Sequence, residues 1–198
     1  MLANATVADV LRPYAKKYAV LYDIFLIIGG SLLIAIFAQL AVGWPVPITG
    51  QTFAVLMLGA LLGSRRGTLC IVTYITEGAI GLPVFAHGRA GPAVLISSTG
   101  GYLIGFIVAA YTVGLLAEKG WDRRCGTTIL AMLLGNLVIY TFGLVWLSLL
   151  MGRSKTVLEV GLYPFIVGDI LKTILAAILL PAGWKLLSHS KQNLSHFC

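Results

Sequence analysis

The sequence predicts an all-α integral membrane protein of six transmembrane helices, and three observations carry that prediction. Of 198 residues, 59% are hydrophobic and only 11% are charged, where a soluble domain averages about 25% charged. Mean hydropathy is +0.95. The few charges are grouped in short links between six long apolar runs, and a helix needs ~20 mostly apolar residues to cross the hydrocarbon of a bilayer. No link is long enough to fold by itself. The whole chain, 1–198, is therefore predicted as a single membrane domain, with an N-terminal segment 1–23, a six-helix bundle 24–187 and a tail 188–198.

The runs follow in order. The first covers 24–43 and ends at "GWPVPITGQ", where Pro45 and Pro47 bar regular helix. The second, 52–63, is short and reaches spanning length only if residues from about Val46 enter the membrane before it; it stops at Ser64, Arg65 and Arg66. The third covers 68–84, the fourth 100–117, the fifth 126–151 and the sixth 162–187. Pro164 suits the first turn of the last helix. Ahead of the first run, "VADVLRPYAKKYAVLY" predicts a short amphipathic helix on the membrane surface, with Arg12, Lys16 and Lys17 toward phosphates and Pro13 as an interruption. Segment 76–102 is punctuated by glycine and proline, which predicts a non-helical loop able to cover a pocket. Gly100 and Gly101 suit a helix that starts tightly against a neighbour. The N-terminal residues do not read as a secretory leader.

Orientation follows from the basic residues. With the N-terminus in the cytoplasm, Arg12, Lys16, Lys17, Arg65, Arg66, Lys119, Arg123, Arg124, Lys185 and Lys191 lie inside, and only Arg89, Arg153 and Lys155 lie outside. The positive-inside rule thus places both termini in the cytoplasm and the chain in the cytoplasmic membrane as a multi-pass protein. The net charge of +7 belongs to this topology, and no basic face with interleaved aromatics points to nucleic acid. Cys70, Cys125 and Cys198 form neither a disulfide framework nor a metal spacing. No nucleotide-binding motif is present, so this chain does not itself hydrolyse ATP. No cofactor and no metal are implied.

Three ionisable residues fall within spans: Glu77, Asp169 and Lys172. Each charge at mid-membrane costs ~2.5–3.5 kcal/mol on insertion scales, so such groups face an interior or a wet cavity. Asp169 and Lys172 are three apart and share one helix face. They read either as a pair that neutralises itself or as one wall of a pocket for a polar ligand. Counted from Pro164, Asp169 lies five residues in, roughly 8 Å at 1.5 Å per residue, which puts the pair in the outer half of the membrane. Gln51 and Thr52 open a short span and make either a plain turn or a polar wall beside a cavity. Asn136 and Tyr140 share a face of the fifth span, as interhelical glue or as ligand contacts. Phe85 begins the Gly-rich loop and Arg89 lies near its middle; His87 stands alone. Ser31, Ala35 and Ala38 allow close approach to the first helix, by a partner inside or outside the chain.

The strings "PVPITGQTFAVLMLGALLGSRRG", "YITEGAIGLPVFA", "STGGYLIGF" and "PFIVGDILK" closely resemble the BioY family, the biotin-specific S components of energy-coupling-factor (ECF) transporters. Together they span most of 45–172. The resemblance implies six helices around a pocket near the external side, covered by loops. The expected function is high-affinity biotin binding and uptake. The implied partners are a transmembrane coupling subunit and two ABC-type ATPases. It also implies that Asp169 and Lys172 contact biotin, with Glu77, Asn136 and Gln51 as further candidates for the ureido ring. Phe53, Tyr74, Phe85 and Tyr140 would pack on the bicyclic ring system, and Arg89 would support the carboxylate from the loop. Ser31 and Ala35 are the nearest match to the small residues with which the family's first helix docks to its coupling subunit. Three alternatives stay open: a solitary biotin transporter, an S component for another vitamin, and an intramembrane enzyme using Glu77, Asp169 and Lys172 as acid–base groups.

Overall fold

The computed structural model describes residues 5–43, 45–152 and 155–195, without the side chains of 155 and 189–195. Trp44, Arg153, Cys198 and the side chains of Lys155 and Lys191 thus lie outside the described residues, as do most side chains of the expected tail 188–198. Seven helices are described: α1 (Val7–Val10), α2 (Lys16–Gln39), α3 (Gln51–Ala79), α4 (Gly100–Glu118), α5 (Cys125–Met151), α6 (Lys155–Gly161) and α7 (Tyr163–Ser195). A two-stranded antiparallel ribbon, β1 (Ala41–Val42) and β2 (Ile48–Thr49), links α2 to α3 and pairs Ala41 with Thr49.

Two of the expected spans lie within α3. Gly63 sits at φ 85° and ψ 177°, a conformation essentially restricted to glycine, and there the chain turns back on itself. A Cβ on Gly67 would lie 2.8 Å from the Cα of Gly59, whereas eight residues of continuous helix would separate the two by about 12 Å. Residues 51–62 and 64–79 are therefore antiparallel arms. The first arm is only 12 residues long, about 18 Å at 1.5 Å per residue. Buried Val46 and Thr49 extend the buried path ahead of it, as the short second run required. With this reversal the bundle has six spanning helices, and each of them begins or ends at the reversal or at one of two turn-rich ends. One end carries Arg65 and Arg66 (the arginine end); the other carries the ribbon, segment 80–99 and α6 (the pocket end).

The core lies between α3, α4, α5 and α7, where Ile71, Val113, Ile139, Leu147 and Leu180 are buried to within 1% of completely. Gly101 takes part as expected: a Cβ there would lie 2.2 Å from the Cβ of Trp146, so the start of α4 lies directly on α5. On α2 the small residues serve the chain itself. Ser31, Ile34 and Ala38 are fully buried, and Gly30 leaves room for the Sγ of Cys70 on α3. Ser31 thus faces inward, while Ala35 is half-buried.

The N-terminal segment departs from the expected surface helix. Residues from Lys16 onward continue the first span, and α1 is a single turn closed by a capping box between Thr6 and Asp9. It is fastened across the arginine end: Arg66 donates to Asp9 at 2.7 Å and to Asp23 at 2.7 Å, and Tyr22 donates to the Ala8 carbonyl. Burial raises the pKa of Asp9, but the bonds from Arg66 and Thr6 outweigh it and hold the carboxyl below its ordinary value of 3.8. A depressed carboxylate stabilises the fold above its unfolded pKa, and that contribution disappears as pH falls through the folded value. Asp9→Asn is therefore expected to flatten the loss of thermal stability below about pH 4. An unaltered profile of thermal midpoint against pH would show that this tie contributes nothing.

Candidate binding site

Backbone breaks at the pocket end create the site. Prolines 45 and 47 prevent the α2–α3 link from closing into helix, so β2 and the start of α3 face inward with their polar groups. Segment 80–99 folds back over the bundle in two short 3₁₀ turns, 86–88 and 92–94, and buries Phe85, Ala86 and Val94. Between them lies a cavity that opens at the pocket end.

Its apolar wall is aromatic. Phe85, Tyr102, Phe106, Tyr140 and Phe165 line it. The Phe165 ring stacks on Tyr102 at 6.3 Å between centroids and meets Tyr140 edge-on at 6.3 Å. The Tyr102 hydroxyl donates to the Gly161 carbonyl at 2.8 Å, which ties α4 to the end of α6. Behind the lining, Tyr74 is fully buried and meets Phe85 edge-on. Its hydroxyl accepts from Gln51 Nε2 at 2.7 Å and donates to the Val84 carbonyl at 3.2 Å.

The polar wall centres on α7. Lys172 donates to Asp169 Oδ1 at 2.9 Å, to Thr52 Oγ1 at 2.8 Å and to the Thr49 carbonyl at 2.8 Å. An ammonium has three protons, and these three acceptors use all of them. Asp169, 6% exposed, also accepts from Thr52 at Oδ1 and from the Tyr140 hydroxyl at Oδ2. The two charges hold each other, yet they do so at the edge of a cavity into which Thr52 and Tyr140 project. The self-neutralised pair is thus present, one side chain behind the wall of the main cavity.

The expected residues divide into three groups. Gln51, Phe85, Arg89 and Tyr140 line the main cavity. Phe53, Asn136 and Lys172 line a smaller cleft beyond Thr52, which borders both. Asp169 lies between them, and Tyr74 stands behind Phe85. Glu77 lines neither cavity. It faces α2, where Ser31 Oγ lies 3.0 Å from its Oε1, and its Oε2 is buried without a partner among the described residues. Thr49, Thr99, Tyr102 and Phe165 line the site without having been singled out from the sequence. The tyrosine and the phenylalanine stand inside the strings "STGGY" and "PF", where an aromatic beside a helix-starting Gly or Pro was the available signal.

Comparison with known proteins agrees with this architecture. The family model described as "BioY family" matches residues 10–189. The chain is 39% identical to the biotin transporter BioY of Rhizobium etli, over 68% of this chain and 76% of that one. It is 40% identical to the biotin transporter BioY of Thermotoga maritima, over 68% and 79%. It is 34% identical to the biotin transporter BioY2 of Lactococcus lactis subsp. cremoris, over 87% and 95%. Among solved structures, the S-component for biotin from an ECF-type ABC transporter superposes with a TM-score of 0.73 at 27% identity, covering 87% of this chain and 95% of that one. With its fold, its pocket-end cavity and a match over nearly the whole chain, this multi-pass membrane protein belongs to the BioY family.

Proposed function

We propose that this chain binds biotin in the main cavity and acts as the substrate-binding S component of an ECF transporter. The observation that carries the reading is the cavity's two-sided chemistry, aromatic on one wall and bounded on the other by the Thr52, Tyr140, Asp169 and Lys172 network. A ureido ring offers two N–H donors and one carbonyl acceptor. Asp169, Thr52 and Gln51 can accept the donors, and Tyr140 or Lys172 can donate to the carbonyl. The aromatic rings suit the bicyclic ring system, and Arg89 on the loop suits the carboxylate of the tail. Biotin entry then replaces bonds the chain makes to itself with bonds to the ligand.

The pocket end is assigned to the external side of the cytoplasmic membrane and both termini to the cytoplasm, from the excess of Lys and Arg at the arginine end. A coupling subunit and two ABC-type ATPases are the proposed partners. Glu77 turned toward α2 leaves an intramembrane enzyme without a third acid–base group at the cavity.

Titration of the purified full chain with biotin tests the reading. Sub-micromolar binding with biotin recovered chemically intact is expected; its absence would sink the proposal. A second result should accompany it. A Cβ on Gly78 would lie 2.2 Å from Cζ of Phe85, so Gly78→Ala must push that ring off the cavity wall. Alanine favours the helix but overpacks a ring that is 2% exposed, so affinity should fall about tenfold together with a modest drop in thermal midpoint. Unchanged affinity would remove Phe85 from the site.

A further inference from the structure

We propose that Gln39 is a positioning residue that sets how long the pocket retains its occupant, by fastening the cavity-lining turn 84–89 to the last turn of α2. The proposal rests on the biotin-binding reading above. Phe85, Ala86 and Arg89 contribute to the cavity wall, and the backbone that carries them makes a tight excursion. Phe85 N–H donates to the Arg89 carbonyl at 3.1 Å, Arg89 N–H donates to the Ala86 carbonyl at 3.4 Å, and His87 between them has φ 60°. That left-handed conformation is uncommon for a residue other than glycine, so the turn needs support from outside itself.

Gln39 supplies it from the α2 side. Its Nε2, with two protons, lies 3.4 Å from the Val84 carbonyl, 3.3 Å from the Phe85 carbonyl and 3.3 Å from the Ala35 carbonyl of its own helix, and its Oε1 accepts from the Gly88 N–H at 3.0 Å. The primary amide offers two donors and an acceptor, and this turn uses both kinds. The Val84 carbonyl is also the acceptor for buried Tyr74, so the turn is held from inside by α3 and from outside by α2. The α2 side is the more exposed of the two: 17% of the apolar window of α2 is buried within the chain, against 39–61% for the other long helices.

The same end of α2 reaches the opposite wall of the cavity. Gly50 N–H donates to the Leu40 carbonyl, and the ribbon pairs 41–42 with 48–49, ending at the Thr49 carbonyl that Lys172 holds. A tilt of α2 is therefore felt at both walls, and Gln39 is the side chain through which it reaches the Phe85 wall. Loss of its donors frees the turn to swing out and lets biotin leave.

The test uses the full chain in lipid nanodiscs and reads the dissociation rate of labelled biotin. Gln39→Leu removes donors and acceptor; Gln39→Lys keeps a donor for the two carbonyls. The leucine variant is expected to release biotin about tenfold faster, with the association rate changed less, and the lysine variant to stay within about threefold of wild type. A dissociation rate unchanged in Gln39→Leu, or raised equally in both variants, would overturn the proposal. Hydrogen exchange of the Phe85, Gly88 and Arg89 amides without ligand is an independent readout. Faster exchange in the leucine variant supports the latch, and unaltered exchange overturns it, even if the wild-type chain proves not to bind biotin.

Discussion

Asp169→Asn is expected to weaken biotin binding about 100-fold, or ~2.7 kcal/mol, the usual scale for truncating one partner of a buried charged contact. The change keeps the side-chain shape but removes the negative charge that orders Lys172 and accepts from Tyr140 and Thr52. Each single change strands one charge, but Lys172→Ala should cost more stability, because the carboxylate side chain is 8% exposed and the lysine side chain 21%. That change leaves the carboxylate without its cation, and breaking a buried pair from one side costs about 3–5 kcal/mol of stability. The alanine variant should therefore lose both folded protein and binding. Asp169→Asn combined with Lys172→Met separates the two effects, because replacing both members removes the uncompensated charge. That double variant should regain a thermal midpoint near wild type and still fail to bind. If it binds biotin as tightly as the wild type, the polar wall is structural only and the ligand is held elsewhere.

The second large effect concerns the fold alone. Gly63→Val places a β-branched residue at φ 85°, ψ 177°, which strains the backbone by about 1–3 kcal/mol. The new Cβ would also lie 2.9 Å from Oε1 of Glu118 and 3.1 Å from Cγ2 of Thr6. Glu118 cannot yield freely, because that oxygen accepts from both the backbone N–H and the hydroxyl of Ser64, at 2.8 and 2.7 Å. Those bonds satisfy the start of the second arm of α3. Displacing them compounds the strain, and Thr6 belongs to the N-terminal turn that crosses the same end. The variant should give little monodisperse protein in detergent, with a clearly lowered thermal midpoint. Whatever remains folded should bind biotin normally, since the reversal lies at the end opposite the cavity. A wild-type midpoint would show that residues 62–64 can adopt another turn.

Six apolar runs, their breaks and the charges between them were legible in the sequence; the second, fourth and fifth runs match helix within a residue of their expected ends, the third is shifted by four to five residues, and the first helix begins eight residues earlier and the last ends eight residues later than expected. The reason is local. A segment's length, its apolarity and its prolines decide whether it can satisfy its backbone inside lipid, and those properties need no knowledge of neighbours. The α2–α3 link read correctly for the same reason: two prolines bar helix whatever surrounds them. The surface helix expected at the N-terminus did not form as such, because its two halves have different fates. Thr6 and Ala8 are buried across the arginine end, while Lys16 onward joins the first span.

What only the tertiary structure decided is which side chains meet. A helix that is apolar on every side, as α5 and α7 nearly are, carries no stripe to mark its inward face. The sequence placed Asp169 and Lys172 on one face by spacing, but the direction of that face came from packing. So did the contacts of Thr49, Thr52 and Tyr140, which lie 120 or more residues away or on another helix. Glu77 shows the converse. As an intramembrane carboxylate it was an equal candidate by composition, and packing turned it toward Ser31 on α2. Spans are decided by the solvent each residue would meet, which composition records. The site is decided by rotations of rigid helices against one another, which local composition does not record.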